Sequence, residues 1–230
     1  MQFTLPAFLL SLLFGALFLT ASFVRYKNKY KVSYNVRNMF PYELNYKSTF
    51  IDNFYGNVGL ILTLFSFGFF FSTFDLRFDN IFFIIIFITG VLTCVFFLGL
   101  VFIPLDFIRL HSIIFILYLI SSFLLPVAIS IGAFTYNQQT GYTSPIPPIV
   151  FISAFIVALV VLAILLNPKL NLNIRMTKEY AEDGSVKYIR PKFITMAFTQ
   201  WLLFFVLYIN EILLFVLTLT FTSLWSRKQT

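Results

Sequence analysis

Residues that usually carry soluble enzyme chemistry are scarce in this chain. One cysteine, Cys94, and one histidine, His111, occur among 230 residues, and charged residues make up only 11%. A single cysteine excludes an internal disulfide and a cysteine-based metal cluster, and a single histidine excludes bis-histidine haem ligation. Walker A, GxSxG and HExxH patterns are missing as well. We therefore expect a non-enzymatic protein without a cofactor or a metal.

Apolar residues are, by contrast, abundant. The chain is 60% hydrophobic, contains 33 Phe and has a mean hydropathy of +0.91, far above the usual range for a soluble domain. A helix needs about 20 mostly apolar residues to cross a bilayer. Six segments meet that requirement, at residues 5–24, 57–74, 81–103, 112–134, 149–166 and 195–224. Because these runs lack the alternation of barrel strands, the sequence predicts one transmembrane domain, an all-α bundle of six membrane-spanning helices.

Basic residues are unevenly distributed among the connections. Loops 25–56 and 167–194, together with Arg109, hold 13 of the 16 Lys and Arg residues. The positive-inside rule predicts that these loops are cytoplasmic or equivalent and that both termini lie outside. The net charge of +7 is concentrated there, so we expect anionic lipid headgroups, and not nucleic acid, as partners of these loops.

The fifth loop has a secondary-structure signal of its own. Its sequence "NIRMTKEYAEDGSVKYIRP" alternates polar and apolar residues around Asp183-Gly184, a dipeptide typical of type I′ turns. The pattern predicts a short β-hairpin.

A charged and titratable group precedes the fourth predicted span. Asp106, Arg109 and His111 fall together in "FIPLDFIRLHSIIF". Histidine titrates near neutral pH and Asp106 could pair with Arg109, which would suit a proton-handling cluster. The alternative is a polar cap where a helix meets the membrane interface.

Glu211 is a carboxylate in the middle of an apolar run. A charged carboxylate costs several kcal/mol at mid-membrane, so Glu211 must be neutral, paired or facing a polar cavity. Helical spacing puts Gln200 and Tyr208 on nearly the same stripe as Glu211. The stripe indicates either a helix–helix hydrogen bond from a neutral Glu211 or a proton-coupled carrier that uses this residue.

The order of these features resembles the six-helix superfamily of the damage-regulated autophagy modulators and their prokaryotic relatives. There, a Tyr/Asn-rich first loop closes on an "SDLG"-like motif, where this chain has "SYNVRNMFPYELN". A third helix with spaced glycines then enters an "FPxD…H" turn, matched here by Gly90, Gly99 and "FIPLDFIRLH". The resemblance implies a role in lipid handling or membrane regulation, with Glu43, Asp106 and His111 on one membrane face.

The sequence leaves three classes of function open. The first is a lipid-associated or structural membrane protein. The second is an accessory subunit that assembles with other membrane subunits, and the third is the proton-coupled carrier. The first is our expectation, with membrane lipids as the partners.

Overall fold

The computed structural model describes residues 3–45, 48–75, 81–140, 144–170, 177–180 and 186–227. Six helices within these residues are long and apolar enough to cross a membrane. They are α1 (Thr4–Tyr30), α2 (Phe54–Asp75), α3 (Ile81–Phe102), α4 (Ile108–Thr140), α5 (Ile146–Leu165) and α6 (Thr195–Arg227). The predicted six-span helical bundle is confirmed, and the protein is a multi-pass integral membrane protein.

Local sequence sets several of the helix ends. Lys31 has a positive φ of 58° and its N–H donates to the carbonyl of Lys27, which terminates α1 six residues beyond the apolar run. Pro104 separates α3 from a short 3-10 helix, Leu105–Phe107, that leads into α4. Pro147 lies in the first turn of α5, where its missing N–H costs nothing.

Consecutive helices pack against each other, and α6 closes the bundle. The pairs α1–α2, α2–α3, α3–α4 and α4–α5 are neighbours, while α6 contacts α5, α4, α3 and α1. Aromatic side chains fill the centre. Trp201 lies against Phe18, Phe97 and Phe204, and the Phe97 and Phe204 rings stack with centroids 4.5 Å apart.

A glycine allows the backbones of α1 and α2 to meet. A Cβ added at Gly59 would lie 2.8 Å from the backbone nitrogen of Phe18, closer than real Cβ atoms approach. Any other residue at position 59 would force the two helices apart.

Two short strands lie in the fifth loop. Strands β1 (Thr177–Tyr180) and β2 (Val186–Ile189) pair antiparallel, with Thr177 opposite Ile189 and Tyr180 opposite Val186. The Asp183-Gly184 dipeptide lies outside the described residues, so its turn type stays a prediction.

The first and fifth loops meet at one end of the bundle. The backbone N–H of Ile194 donates to the carbonyl of Arg37 at 2.9 Å, and the Asn38 side-chain amide donates to the carbonyl of Pro191 at 3.1 Å. The two basic loops therefore share one side of the membrane. Whether that side is cytoplasmic remains a prediction.

Candidate functional site

Glu43 is held by an arginine of the fifth loop. It lies in the 3-10 helix Pro41–Leu44, and both of its oxygens receive guanidinium N–H groups of Arg190, at 2.8 and 2.5 Å. The backbone N–H of Phe40 also donates to Glu43 Oε1. Burial by itself lowers the pKa of Arg190, but the hydrogen bond and the charge of Glu43 outweigh it and raise that pKa above its ordinary value.

A tyrosine and a tryptophan fix the first loop to α6. The hydroxyl of Tyr34 donates to the carbonyl of Phe40 at 2.7 Å, and the indole N–H of Trp201 lies 3.1 Å from both the Tyr34 hydroxyl and the carbonyl of Met39. Burial, and next the charge of Glu43, raise the pKa of Tyr34 well above its ordinary value. The first loop is thus a folded cover on the end of the bundle.

His111 is completely buried beneath that cover. Its Nδ1 lies 2.7 Å from the carbonyl of Ile103, and its Nε2 lies 3.2 Å from the side-chain nitrogen of Gln200. A carbonyl only accepts, so Nδ1 carries the proton, and in a neutral ring Nε2 accepts from the Gln200 amide. The rings of Phe40 and Tyr42 pack edge-on against the imidazole.

The structure separates Asp106 and Arg109 from this histidine. Both side chains are exposed, and among the described residues the only ion pair is that of Glu43 with Arg190. Glu43 and His111 therefore belong to one layered end of the bundle, while Asp106, in the turn before α4, has an exposed side chain. That these three residues form one site stays a prediction.

Glu211 belongs to a second, deeper cluster. Its Oε2 lies 2.7 Å from the hydroxyl of Ser11 on α1, and its Oε1 has no hydrogen-bond partner although the side chain is completely buried. The Tyr208 hydroxyl donates to the Ser11 carbonyl at 3.2 Å. Gln200 precedes Glu211 by 11 residues, or about 16 Å along the helix axis. The two ends of the predicted stripe of α6 thus belong to two separate clusters: Gln200 contacts His111, and Glu211 contacts Ser11.

A glycine makes room for the second cluster. A Cβ added at Gly15 would lie only 1.7 Å from the Tyr208 hydroxyl oxygen. Only glycine at position 15 lets this hydroxyl reach α1.

A pocket opens where α1 ends and α2 begins. Its volume is about 540 Å³, and we call it the basic pocket. Its lining residues are Ala21, Val24, Arg25, Asn28, Lys29, Asp52 and Tyr55. The Arg25 guanidinium donates to the carbonyl of Leu44 at 2.7 Å and to the hydroxyl of Ser48. Lys29 also donates to the Ser48 hydroxyl. The bonds of Arg25 go to uncharged oxygens, and the carboxylate of Asp52 in the same lining interacts electrostatically with Lys29 and Arg25. Two basic groups against one carboxylate leave the lining net positive.

An apolar groove runs between α2 and α3. It has a volume of about 460 Å³, and its lining includes Leu64, Phe65, Gly68, Val91 and Cys94. Gly68 faces open space, since the nearest atom to an added Cβ is a Val91 methyl at 3.9 Å.

Neither a metal-binding group nor a similar protein was found that would assign a role to these features. Within the described parts of the chain, no three His, Cys, Asp or Glu side chains form a group that could hold a metal ion. No protein-family model, no curated protein and no solved structure matches the sequence.

Proposed function

We propose that this protein is a non-enzymatic, lipid-associated membrane protein that binds an anionic phospholipid headgroup in the basic pocket. The observation that carries the proposal is the position of that pocket. It lies at the end of a membrane-spanning helix, directly beyond the apolar part of α1, where a phosphate group would be found.

Helical geometry points the basic residues of α1 into the pocket together. Ala21, Val24, Arg25 and Asn28 follow the i, i+3, i+4, i+7 spacing of one helix face, and Lys29 adjoins them. Guanidinium and ammonium groups bind phosphate oxygens through charge-assisted hydrogen bonds. The pocket therefore has donors of suitable charge for an anionic headgroup.

An aliphatic and an aromatic side chain also line the pocket. Val24 and Tyr55 are 59 and 71% exposed. Such exposure suits contact with the glycerol and upper acyl region of a lipid, and tyrosine is enriched at this depth. A lipid could thus place its headgroup on Arg25 and Lys29 while its chains lie along α1.

Two further features support a lipid-associated role. The apolar groove between α2 and α3 has an apolar lining, which suits an acyl chain, and lies between two membrane-spanning helices. The resemblance to the damage-regulated autophagy modulator superfamily, whose members are linked to lipid handling and membrane regulation, agrees with the same role.

The test compares variants on one helix. The full chain is reconstituted in nanodiscs that contain phosphatidylcholine with a minor fraction of phosphatidylglycerol, and protein-bound lipid is quantified by native mass spectrometry. Lys29→Gln and Arg25→Gln should each weaken phosphatidylglycerol binding by about fivefold, because one basic residue near the surface contributes about 1 kcal/mol. Lys27→Gln is the control, since Lys27 is exposed on α1 outside the pocket.

Two results would overturn the proposal. One is an equal loss of bound phosphatidylglycerol in Lys29→Gln and Lys27→Gln. Binding would then depend on the net charge of the loop and not on the pocket. The other is a stoichiometric protein partner, without lipid enrichment, in material extracted gently from the native membrane. That result would assign the protein to the accessory-subunit class.

A further inference from the structure

The hydroxyl of Ser11 makes two short oxygen contacts but has one proton. Its Oγ lies 2.7 Å from Glu211 Oε2 and 2.7 Å from the carbonyl oxygen of Phe8. Both separations are hydrogen-bond distances for O–H···O, and two oxygens this close need a proton between them. The carbonyl of Phe8 has none to give, so Ser11 supplies the proton for that contact. The proton between Ser11 and Glu211 must then belong to Glu211.

The second oxygen of Glu211 leads to the same assignment. Oε1 has no hydrogen-bond partner in a completely buried side chain. An unpartnered oxygen that carries part of a full negative charge is far more costly than the carbonyl oxygen of a neutral acid. Arg and Lys side chains that would balance a negative charge are absent from residues 195–218 of α6 and from residues 4–24 of α1, the parts of the two helices on either side of this contact.

We infer that Glu211 is a proton-binding site within the bundle: its protonated carboxyl donates from Oε2 to Ser11 Oγ, and Ser11 donates in turn to the Phe8 carbonyl. The ligand is a proton taken from water. This proton binds the Glu211 carboxylate and makes it neutral. This site is independent of the basic pocket. It forms a polar link between the first and the last of the six helices.

The surroundings contain few groups that would titrate with Glu211. On α6 the nearest is Tyr208, and on α3 it is Cys94, which lies within electrostatic range of Glu211. From α1 the facing group is the hydroxyl of Ser11. The titratable residues of α2, Tyr55 and Asp75, lie at the two ends of that helix. On α4, Tyr118 interacts with Cys94, and α5 contains no titratable residue. His111 and Glu43 belong to the other cluster, nearer the first loop. Tyr208, Cys94 and Ser11 are uncharged when protonated, so none of them supplies a positive charge that would stabilise a carboxylate at position 211.

Loss of the proton should loosen α1. A carboxylate at position 211 would leave Ser11 with two acceptors and a single proton, so one of the two 2.7 Å contacts would become repulsive. Folding favours the protonated acid, so stability should fall as the pH rises through the titration of Glu211. Helix α1 would lose its side-chain bond to Glu211 and would keep to α6 the bond from the Tyr208 hydroxyl to the Ser11 carbonyl.

The experiment is infrared spectroscopy of the full chain in nanodiscs at neutral pH. A protonated carboxylic acid has a C=O stretching band that a carboxylate lacks. We expect this band in the unmodified protein and in Glu43→Gln, because Glu43 is ion-paired with Arg190. Glu211→Gln should abolish the band, and Ser11→Ala should shift it, because the acid loses its acceptor.

A second readout uses thermal unfolding measured across a pH series. The midpoint of the unmodified protein should fall with rising pH, and Glu211→Gln should remove that part of the dependence, because an amide N–H donates to Ser11 at every pH. The inference would be overturned if the unmodified protein showed no acid band, or if its acid band persisted in Glu211→Gln. A pH dependence identical in the two proteins would do the same.

Discussion

Arg190 donates hydrogen bonds to both carboxylate oxygens of Glu43, from which it is separated by 147 residues in the sequence. The pair joins the first loop to the segment that leads into α6, and the exposed fraction is 31% for the arginine side chain and 10% for the glutamate side chain. Two parallel N–H···O bonds define distance and orientation together, which a single lysine contact does not. This contact sets how the loop covers His111.

Removal of the arginine should destabilise that cover. Arg190→Gln leaves Glu43 largely buried without its counter-ion, and we expect a loss of about 1–3 kcal/mol, discounted for the partial exposure of the pair. Arg190→Lys should recover part of the loss. Thermal unfolding in detergent measures both. Lys192→Gln, an exposed change two residues away, should have no effect; equal losses for the two positions would contradict the assigned role.

Trp201→Phe should release the first loop while it leaves the aromatic core largely filled. The substitution removes the indole N–H that reaches the Tyr34 hydroxyl and the Met39 carbonyl. Loss of these bonds should cost about 1–2 kcal/mol. Limited proteolysis at the basic residues of the first loop should become faster, whereas cleavage elsewhere should not. Unchanged cleavage of the loop would show that Trp201 only fills space.

The docked loop should weaken at alkaline pH because of Tyr34. Burial raises the pKa of this phenol in the folded protein above its ordinary value of 10.0, so the folded state favours the neutral form. The resulting stability is present below about pH 10 and is lost as pH rises through the folded pKa. Proteolytic protection of the loop should fall over that range. Tyr34→Phe should show a smaller fall, and an identical profile would count against this prediction.

Two glycines of α2 provide a matched pair of substitutions. Gly59→Ala would place a methyl group 2.8 Å from the Phe18 backbone and should cost about 1–3 kcal/mol through overpacking. Gly68→Ala meets only a Val91 methyl at 3.9 Å and should be neutral or slightly stabilising, since alanine is the better helix former. Thermal unfolding of both variants tests the prediction; similar losses would contradict the close approach at Gly59.

The helices were predictable from the sequence because length and hydropathy alone decide which segments fit a bilayer. The residues at which the helices end were less predictable. The α1 helix runs on to Tyr30 through a Lys- and Tyr-rich stretch, since helix formation does not stop where the apolar run ends. Spacing also predicted the inward stripe of Gln200 and Glu211. It could not predict that the two residues serve different clusters.

The partners of the polar residues were beyond sequence reasoning. Arg190 is one of several basic residues in the fifth loop, and nothing in the local pattern distinguishes it from Lys187 or Lys192. Ser11 was likewise hidden in an apolar helix whose small residues had no obvious role. Both contacts join segments separated by 147 or more residues. Only the closure of the bundle brings them together.

The close approach at Gly59 also bears on the order in which the protein is made. Helices α1 and α2 lie within the first 75 residues, so this hairpin can assemble in the membrane while the ribosome is still translating later spans. Ser11 must then wait for α6, the last of the six helices to be inserted, before Glu211 reaches it. The contact therefore forms late in assembly, together with the other contacts of α6, and a nascent chain that stalls before α6 leaves α1 without that partner.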